Sequence, residues 1–183
     1  MSSDSRLERI LDNISSDEDR EYIKNLIHED ALTKAYNRRK FDNDIILITR
    51  MTERTNNGSS FLLIDIDKFK RYNDNISYAK GDEILKKVSS TLKEGLRDYD
   101  QLFLYRYGGD EFAVFLFPNG KTEDGKIVAE RLRKNIKKKC GVTVSIGVSH
   151  YKEATDKMDS LVSYADKAVK QAKQGGDSVS VYK

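Results

Sequence analysis

One segment constrains this chain more than any other: Phe61-Leu62-Leu63-Ile64, followed at once by Asp65-Ile66-Asp67. A short unbroken apolar run is what a strand buried on both faces requires, so it predicts the central strand of a sheet. Strand side chains alternate, which places Asp65 and Asp67 on one face. Carboxylates beside a hydrophobic run are costly unless a cation or hydrogen-bond donors meet them. The strand therefore ends either at a site that takes a positive ligand or at an ordinary polar edge. The two acids alone do not choose between these.

The rest of the 183 residues must supply a core for that strand. Hydrophobic residues make up 38%, with 10 Tyr and 7 Phe, although 34% of the chain is charged. That is enough for one domain and argues against wholesale disorder. The 33 basic and 30 acidic residues leave a formal charge of only +3, which speaks against a nucleic-acid partner. A single cysteine, Cys140, excludes a disulfide framework or a Cys-rich zinc site. No apolar run approaches the roughly 20 residues of a membrane span. The N-terminus has no apolar signal core, so the expected location is cytoplasmic.

Periodicity places the other elements. Leu7, Ile10, Leu11 and Ile14, then Tyr22, Ile23, Leu26 and Ile27, recur at helical spacing. Both helices are too short to stand alone, so they dock on their own domain or on a second copy of the chain, and spacing leaves the two open. A helix from about Arg38 to Met51 follows, broken at Asn56-Asn57-Gly58. Ile84, Leu85, Val88, Leu92 and Leu96 mark another helix. Leu102 to Tyr107 and Phe112 to Phe117 predict two strands joined by Gly108-Gly109. Val128, Leu132 and Ile136 give a helix, Val142 to Val148 a strand, Leu161 to Ala172 a last helix and Ser178 to Tyr182 a last strand. The lone proline, Pro118, and the absence of a composition break give no sign of a second domain. From Phe61 the order is β-α-β-β-α-β, then α-β: an α+β, ferredoxin-like arrangement with additions.

A second acidic cluster sits in Arg106-Tyr107-Gly108-Gly109-Asp110-Glu111-Phe112. Glycines before the acids leave room for a ligand to approach the backbone. In this strand order the hairpin and the central strand can be neighbours, with Asp65 and Asp110 facing each other across a cleft. Such oxygen ligands suit Mg²⁺ or Mn²⁺. Two ions about 3.5–4 Å apart activate a hydroxyl and stabilise a leaving phosphate. A hairpin with solvated acids at its tip fits the spacing equally well. Backbone N–H groups at Asp67-Lys68-Phe69-Lys70, with Lys70 itself, can cradle phosphates. Asn73 and Asp82 can read guanine, because a carboxylate accepts from N1–H and the exocyclic amine that adenine lacks on that edge. Shaping a turn and capping a helix is the plainer reading of the same two residues.

Taken together, these residues resemble the GGDEF domain of diguanylate cyclases. The resemblance rests on Asp30-Ala31-Leu32-Thr33, Asn37-Arg38-Arg39, Asp65-Ile66-Asp67-Lys68-Phe69-Lys70, Asn73-Asp74 and Gly81-Asp82. It continues through Gly108-Gly109-Asp110-Glu111-Phe112, Val144-Ser145-Ile146-Gly147-Val148, Ala165-Asp166-Lys167-Ala168 and Ala172-Lys173, in the family's order. It implies a palm-like fold over residues 30–183, preceded by a helical segment 1–29. It implies condensation of two GTP into cyclic di-GMP with release of two pyrophosphates, in a homodimer whose two sites meet. By position, Asp65, the Ile66 carbonyl and Asp110 would ligate two Mg²⁺ (or Mn²⁺) per site. Glu111, or Asp110, would take the proton of the attacking 3′-OH. Lys68, Phe69 and Lys70 would contact phosphates, with Gly108 and Gly109 beside the substrate. Asn73 and Asp82 would read guanine, and Lys173 would hold the terminal phosphate.

The chain departs from the family in three places. Ser77-Tyr78 stands where Gly-His is usual, so Tyr78 takes a position beside the nucleotide. Gly176 replaces a phosphate-binding arginine in the tail. The inhibitory product site normally has an Arg-x-x-Asp whose register falls here on Tyr99 and Leu102; Arg97 and Asp100 have the spacing but lie two residues early, so that site is expected to be absent or displaced. A weakly catalytic module that binds GTP or cyclic di-GMP, or a cyclase making another cyclic dinucleotide, is the alternative. Family members usually carry an upstream sensory domain that controls dimerisation, and the helix around Leu7 to Ile14 is a candidate dimer handle. His28, His150 and Cys140 are assigned no chemistry, and Lys137-Lys138-Lys139 reads as a solvated helix end.

Overall fold

The computed structural model describes residues 9–55, 58–117, 122–151 and 158–182. Leu7, Asn56-Asn57 and Pro118 lie outside the described residues. A helical turn at residues 9–12 precedes α1 (Asp17–His28) and α2 (Arg38–Thr55). Then come β1 (Ser59–Ile66), α3 (Phe69–Asn75), α4 (Tyr78–Gly95), a 3₁₀ turn (Asp100–Phe103), β2 (Leu104–Arg106) and β3 (Glu111–Leu116). The chain ends with α5 (Thr122–Cys140), β4 (Val144–Tyr151), α6 (Met158–Ala172) and β5 (Ser178–Val181).

The five strands lie in the order β2-β3-β1-β4-β5. β1 is antiparallel to both β3 and β4, and β5 adds a parallel edge beside β4. The first four strands make the expected ferredoxin-like sheet. All eight residues of β1 are buried, as its unbroken apolar run requires. Alternation sorts its side chains. Leu62, Ile64 and Ile66 join a cluster with Leu85, Val88 and Leu92 of α4 and Ala129, Leu132 and Ile136 of α5. Phe61 and Leu63 join the opposite cluster, with Phe41 and Ile48 of α2 and Leu161, Ala165 and Val169 of α6. Asp65 continues this second face. The helices added to the ferredoxin-like core therefore cover the face on which the acid sits.

Two expectations change, and one open alternative is narrowed. The strand expected over Leu102–Tyr107 begins only at Leu104, because Asp100 is buried at 2% exposure and starts a 3₁₀ turn. A single helix was expected after β1, but two form; the first, α3, is seven polar-rich residues with no apolar period to reveal it. The apolar stripe of α1, which spacing left open, is only partly covered by its own domain: Ile23 and Ile27 are half-buried, but no residue of the helix is fully buried and Tyr22 and Leu26 are each 64% exposed.

One contact sets how closely α6 approaches the sheet. A Cβ placed on Gly147 of β4 would lie 2.2 Å from the Ala165 carbonyl oxygen and 2.5 Å from the Val169 nitrogen. Both atoms are helix backbone and cannot rotate away. Gly147→Ala should therefore push α6 outward at a cost of about 1–3 kcal/mol. Thermal unfolding should fall by several degrees, roughly 2–4 °C per kcal/mol for a chain of this size. An unchanged melting temperature would contradict this packing.

Candidate functional site

β1 leaves the core at Asp65 and opens onto a cavity of about 520 Å³. Asp65, Ile66, Asp67, Lys68, Phe69, Lys70, Asp110 and Thr143 form one side, and Lys173 to Asp177 close it. Asp65 is paired in register with Glu111 of β3 and Ser145 of β4. The Ile66 N–H donates to the Asp110 carbonyl (3.3 Å), which ties the end of β1 to the glycine turn. The two acidic clusters thus meet, as the strand order predicted.

Asp65 is only 4% exposed. Its carboxyl stands at about 6, raised chiefly by burial and also by the nearby Asp110 and Glu111 charges, against the pull of the Lys173 ammonium 2.6 Å away. Burial pulls on Lys173 in the opposite sense, but Asp65, Asp110 and Glu111 hold it above the ordinary lysine range. Such opposed environments are what a cation site produces when its carboxylates are gathered before the cation.

Asp67 has a different job. Its Oδ1 accepts from the Ser145 hydroxyl (2.6 Å) and its Oδ2 from the Asp177 N–H (2.8 Å). It fastens the turn after α6 to the sheet. Lys68 adopts a left-handed conformation with φ 58°, which swings the chain from β1 into α3. The Phe69 side chain is 8% exposed and belongs to the core. What residue 69 offers to the cavity is therefore backbone rather than ring.

The other expected residues lie apart from this cavity. Gly108 and Gly109 form the turn behind Asp110; a Cβ on Gly108 would sit 2.5 Å from Glu111 Oε2, so the Glu111 carboxylate folds over that glycine. Asn73 lies on α3 and Asp82 on α4, not in a capping turn; Ser77 caps α4 by accepting from the Lys80 N–H (3.2 Å). A Cβ on Gly81 would lie 1.9 Å from Asn73 Oδ1, so the glycine is what lets α3 and α4 close on that amide. Asn73 Oδ1 is buried without a partner among the described residues. Tyr78 is 75% exposed. Arg97 and Asp100 bind each other at 2.7 and 3.2 Å.

Sequence reasoning missed Arg106. Its guanidinium donates to both carboxylate oxygens of Asp30 at 3.1 Å and to the Gly109 carbonyl at 2.9 Å. Asp30 also accepts from the Thr33 N–H (2.8 Å) and hydroxyl (2.7 Å). Burial raises the Asp30 carboxyl, but these donors together hold it below the usual carboxylate range. The arginine thereby braces the glycine turn from a segment 76 residues earlier. Arg106 falling just before the turn was the signal; its partner was not legible from spacing.

The donor set suits a hard divalent cation. Among the described residues no group of three or more His, Cys, Asp or Glu side chains is gathered for a metal. Two carboxylates and a backbone carbonyl are what remain. That is how Mg²⁺ is commonly held, with phosphates and waters completing the shell. Lys68, Lys70 and Lys173 supply positive charge around the same space. No described helix is long and apolar enough to cross a membrane.

The diguanylate cyclase, GGDEF domain, family model matches residues 27–178. Uncharacterized protein YtrP of Bacillus subtilis (strain 168) is 37% identical over 162 residues, covering 86% of this chain and 26% of that protein. Diguanylate cyclase A of Treponema denticola is 42% identical over 125 residues, covering 64% of this chain and 33% of that protein. Among solved structures, the coiled coil and GGDEF domain of DgcB from Caulobacter crescentus, in complex with c-di-GMP, is 26% identical with a TM-score of 0.82. That likeness covers 98% of this chain and 95% of the solved one. The chain spans only 26%, 44% and 33% of the length of the first three curated relatives. With the family match running from the end of α1 to the first residue of β5, the chain belongs to the GGDEF domain family.

Proposed function

We propose that this chain is a diguanylate cyclase, condensing two GTP into cyclic di-GMP and two pyrophosphates. The observation that carries the reading is the meeting of Asp65 and Asp110 at the mouth of a cavity ringed by Lys68, Lys70 and Lys173. Asp65, Asp110 and the Ile66 carbonyl would hold two Mg²⁺ or Mn²⁺. When bound, such ions polarise the α-phosphate and acidify the attacking hydroxyl. Lys68, Lys70 and the backbone around Phe69 hold the phosphates in line, and Lys173 takes the terminal phosphate. A Glu111 or Asp110 carboxylate oxygen accepts the 3′-OH proton. Each 3′-oxygen forms a bond to the α-phosphorus of the other nucleotide, and each α–β anhydride bond breaks to release pyrophosphate. Positioning and charge neutralisation supply most of the rate.

Asn73 on α3 and Asp82 on α4 read guanine in this scheme, outside the phosphate cavity, and Tyr78 takes the position beside the nucleotide. The product joins two nucleotides, and the cavity beside Asp65 and Asp110 serves one of them in this reading, so two copies meet face to face. The exposed Tyr22 and Leu26 on α1 support an assembly that covers them. Arg97 and Asp100 are already consumed by each other, which supports loss of the feedback site. GTP as substrate places the reaction in the cytoplasm. Control by a sensory domain upstream is part of the same reading.

Two outcomes test the site. Asp110→Asn keeps the shape of the turn but removes the charge, and should cut cyclic di-GMP formation by about 10³-fold, the scale of losing one preorganised charge-stabilising group. Its melting temperature should stay within about 2 °C of the parent, a small change for a chain of this size. Retained turnover would remove Asp110 from its assigned role.

The second outcome concerns pH. Asp65 is ordinarily a 3.8 carboxyl and stands at about 6 here, so the folded state holds its proton more tightly than the unfolded one. Its effect on metal-free stability is therefore absent below about pH 4 and grows as pH rises to about 6, reaching about 3 kcal/mol of destabilisation. Asp65→Asn should melt higher than the parent at about pH 7.5, and the gap should close near pH 4. A variant no more stable than the parent at the higher pH would contradict the burial argument.

A further inference from the structure

The Asp65 carboxylate already has a cation. Lys173 Nζ lies 2.6 Å from Asp65 Oδ2, with the aspartate side chain 6% exposed and the lysine side chain 46% exposed. The ammonium reaches inward from the rim while much of its stem stays in water. Lys68 and Lys70 line the same cavity but make no contact with this carboxylate. Asp110 and Glu111 add to the negative field that Lys173 meets.

The segment bearing Lys173 is fixed. Its N–H donates to the Val169 carbonyl (2.8 Å), and the Gly176 N–H donates to the Ala172 carbonyl (3.1 Å). Gly176 and Asp177 then turn with φ 64° and 45°. The Asp177 N–H closes the turn onto Asp67, and Arg133 and Lys137 hold the Asp177 carboxylate from α5. The backbone is pinned, so only the long lysine side chain has freedom. One ammonium on a fixed base has two anions within its chemistry: the Asp65 carboxylate and the phosphate it is assigned in the cyclase reading.

We propose that Lys173 is an internal counter-ion, which occupies the cation position of Asp65 until a triphosphate draws it away. This rests on the assignment of Asp65 as a metal ligand. An ion arriving alone must displace the ammonium and then bear its repulsion. An ion arriving with a triphosphate gives the ammonium a new partner. Metal and nucleotide affinity are then coupled, and the coupling is reciprocal. Paired with Asp65, the same lysine offsets the cost of a buried charge beside two other acids.

The experiment is a Mn²⁺ titration of the folded chain without nucleotide, read from the electron paramagnetic resonance of free Mn²⁺. Lys173→Met and Lys173→Gln should each bind Mn²⁺ about tenfold more tightly than the parent, while Lys70→Met should change it by less than about twofold. Circular-dichroism melts check that all three variants are folded. Unchanged Mn²⁺ affinity in both Lys173 variants overturns the proposal. An equal gain in Lys70→Met also overturns it, because the effect is then general charge and not occupancy. GTP turnover by the parent is scored separately. Tighter Mn²⁺ binding in the Lys173 variants together with no cyclic di-GMP from the parent would support the counter-ion and overturn the cyclase reading alone.

Discussion

The structure is organised around a carboxylate at the end of a strand that is buried on both faces. Asp65 follows six buried residues of β1 and is buried itself. An ionised group there must be met by charge or donors. The surrounding architecture provides both. The glycine turn brings Asp110 beside it, the end of α6 brings Lys173, and the N–H of Ile66 locks the turn to the strand. The ferredoxin-like strand order places β3 and β4 on either side of β1, which is why three segments distant in sequence converge at one point.

The supports are as informative as the site. Arg106 joins Asp30 to the carbonyl of Gly109, so the approach to the domain and the glycine turn are one unit. Asp67 joins β1, β4 and the turn after α6 through Ser145 and Asp177. Gly147 lets α6 lie against β4 without a side chain between them. Each of these fixes a segment whose neighbour has a proposed chemical role. A misplacement of about an ångström is enough to cost a positioned reaction heavily.

Much of this was legible in the sequence because it follows from short periods. The apolar run of β1, the alternation that sets Asp65 apart from Ile64 and Ile66, and the glycine hairpin are all local signals. Four features were not legible. The α3 helix is too short and polar to show a helical period. The start of β2 moved because Asp100 turned inward and took Arg97 with it. The bonds of Arg106 to Asp30 and of Asp67 to Asp177 join residues 76 and 110 apart, and no spacing rule reaches that far. The apolar stripe of α1 was visible, but a stripe does not say what covers it, and its own domain leaves Tyr22 and Leu26 exposed. For Asn73 and Asp82 the alternative of a turn and a cap falls away, because both lie within helices.

The departures at Tyr78 and Gly176 test how far the family reading carries. Gly176 lies against Asp67, 3.5 Å from its Oδ2 to an added Cβ, so the tail here serves the turn and offers no cation of its own at that position. In the proposed reading, positive charge for the phosphates then falls to Lys68, Lys70 and Lys173, which line the cavity. The most direct measurement is incubation of the chain at high concentration with Mg²⁺ and equimolar GTP and ATP, with products identified by mass spectrometry. The account predicts cyclic di-GMP and pyrophosphate, with no adenine in the product. No cyclic dinucleotide, or one containing adenine, would contradict it.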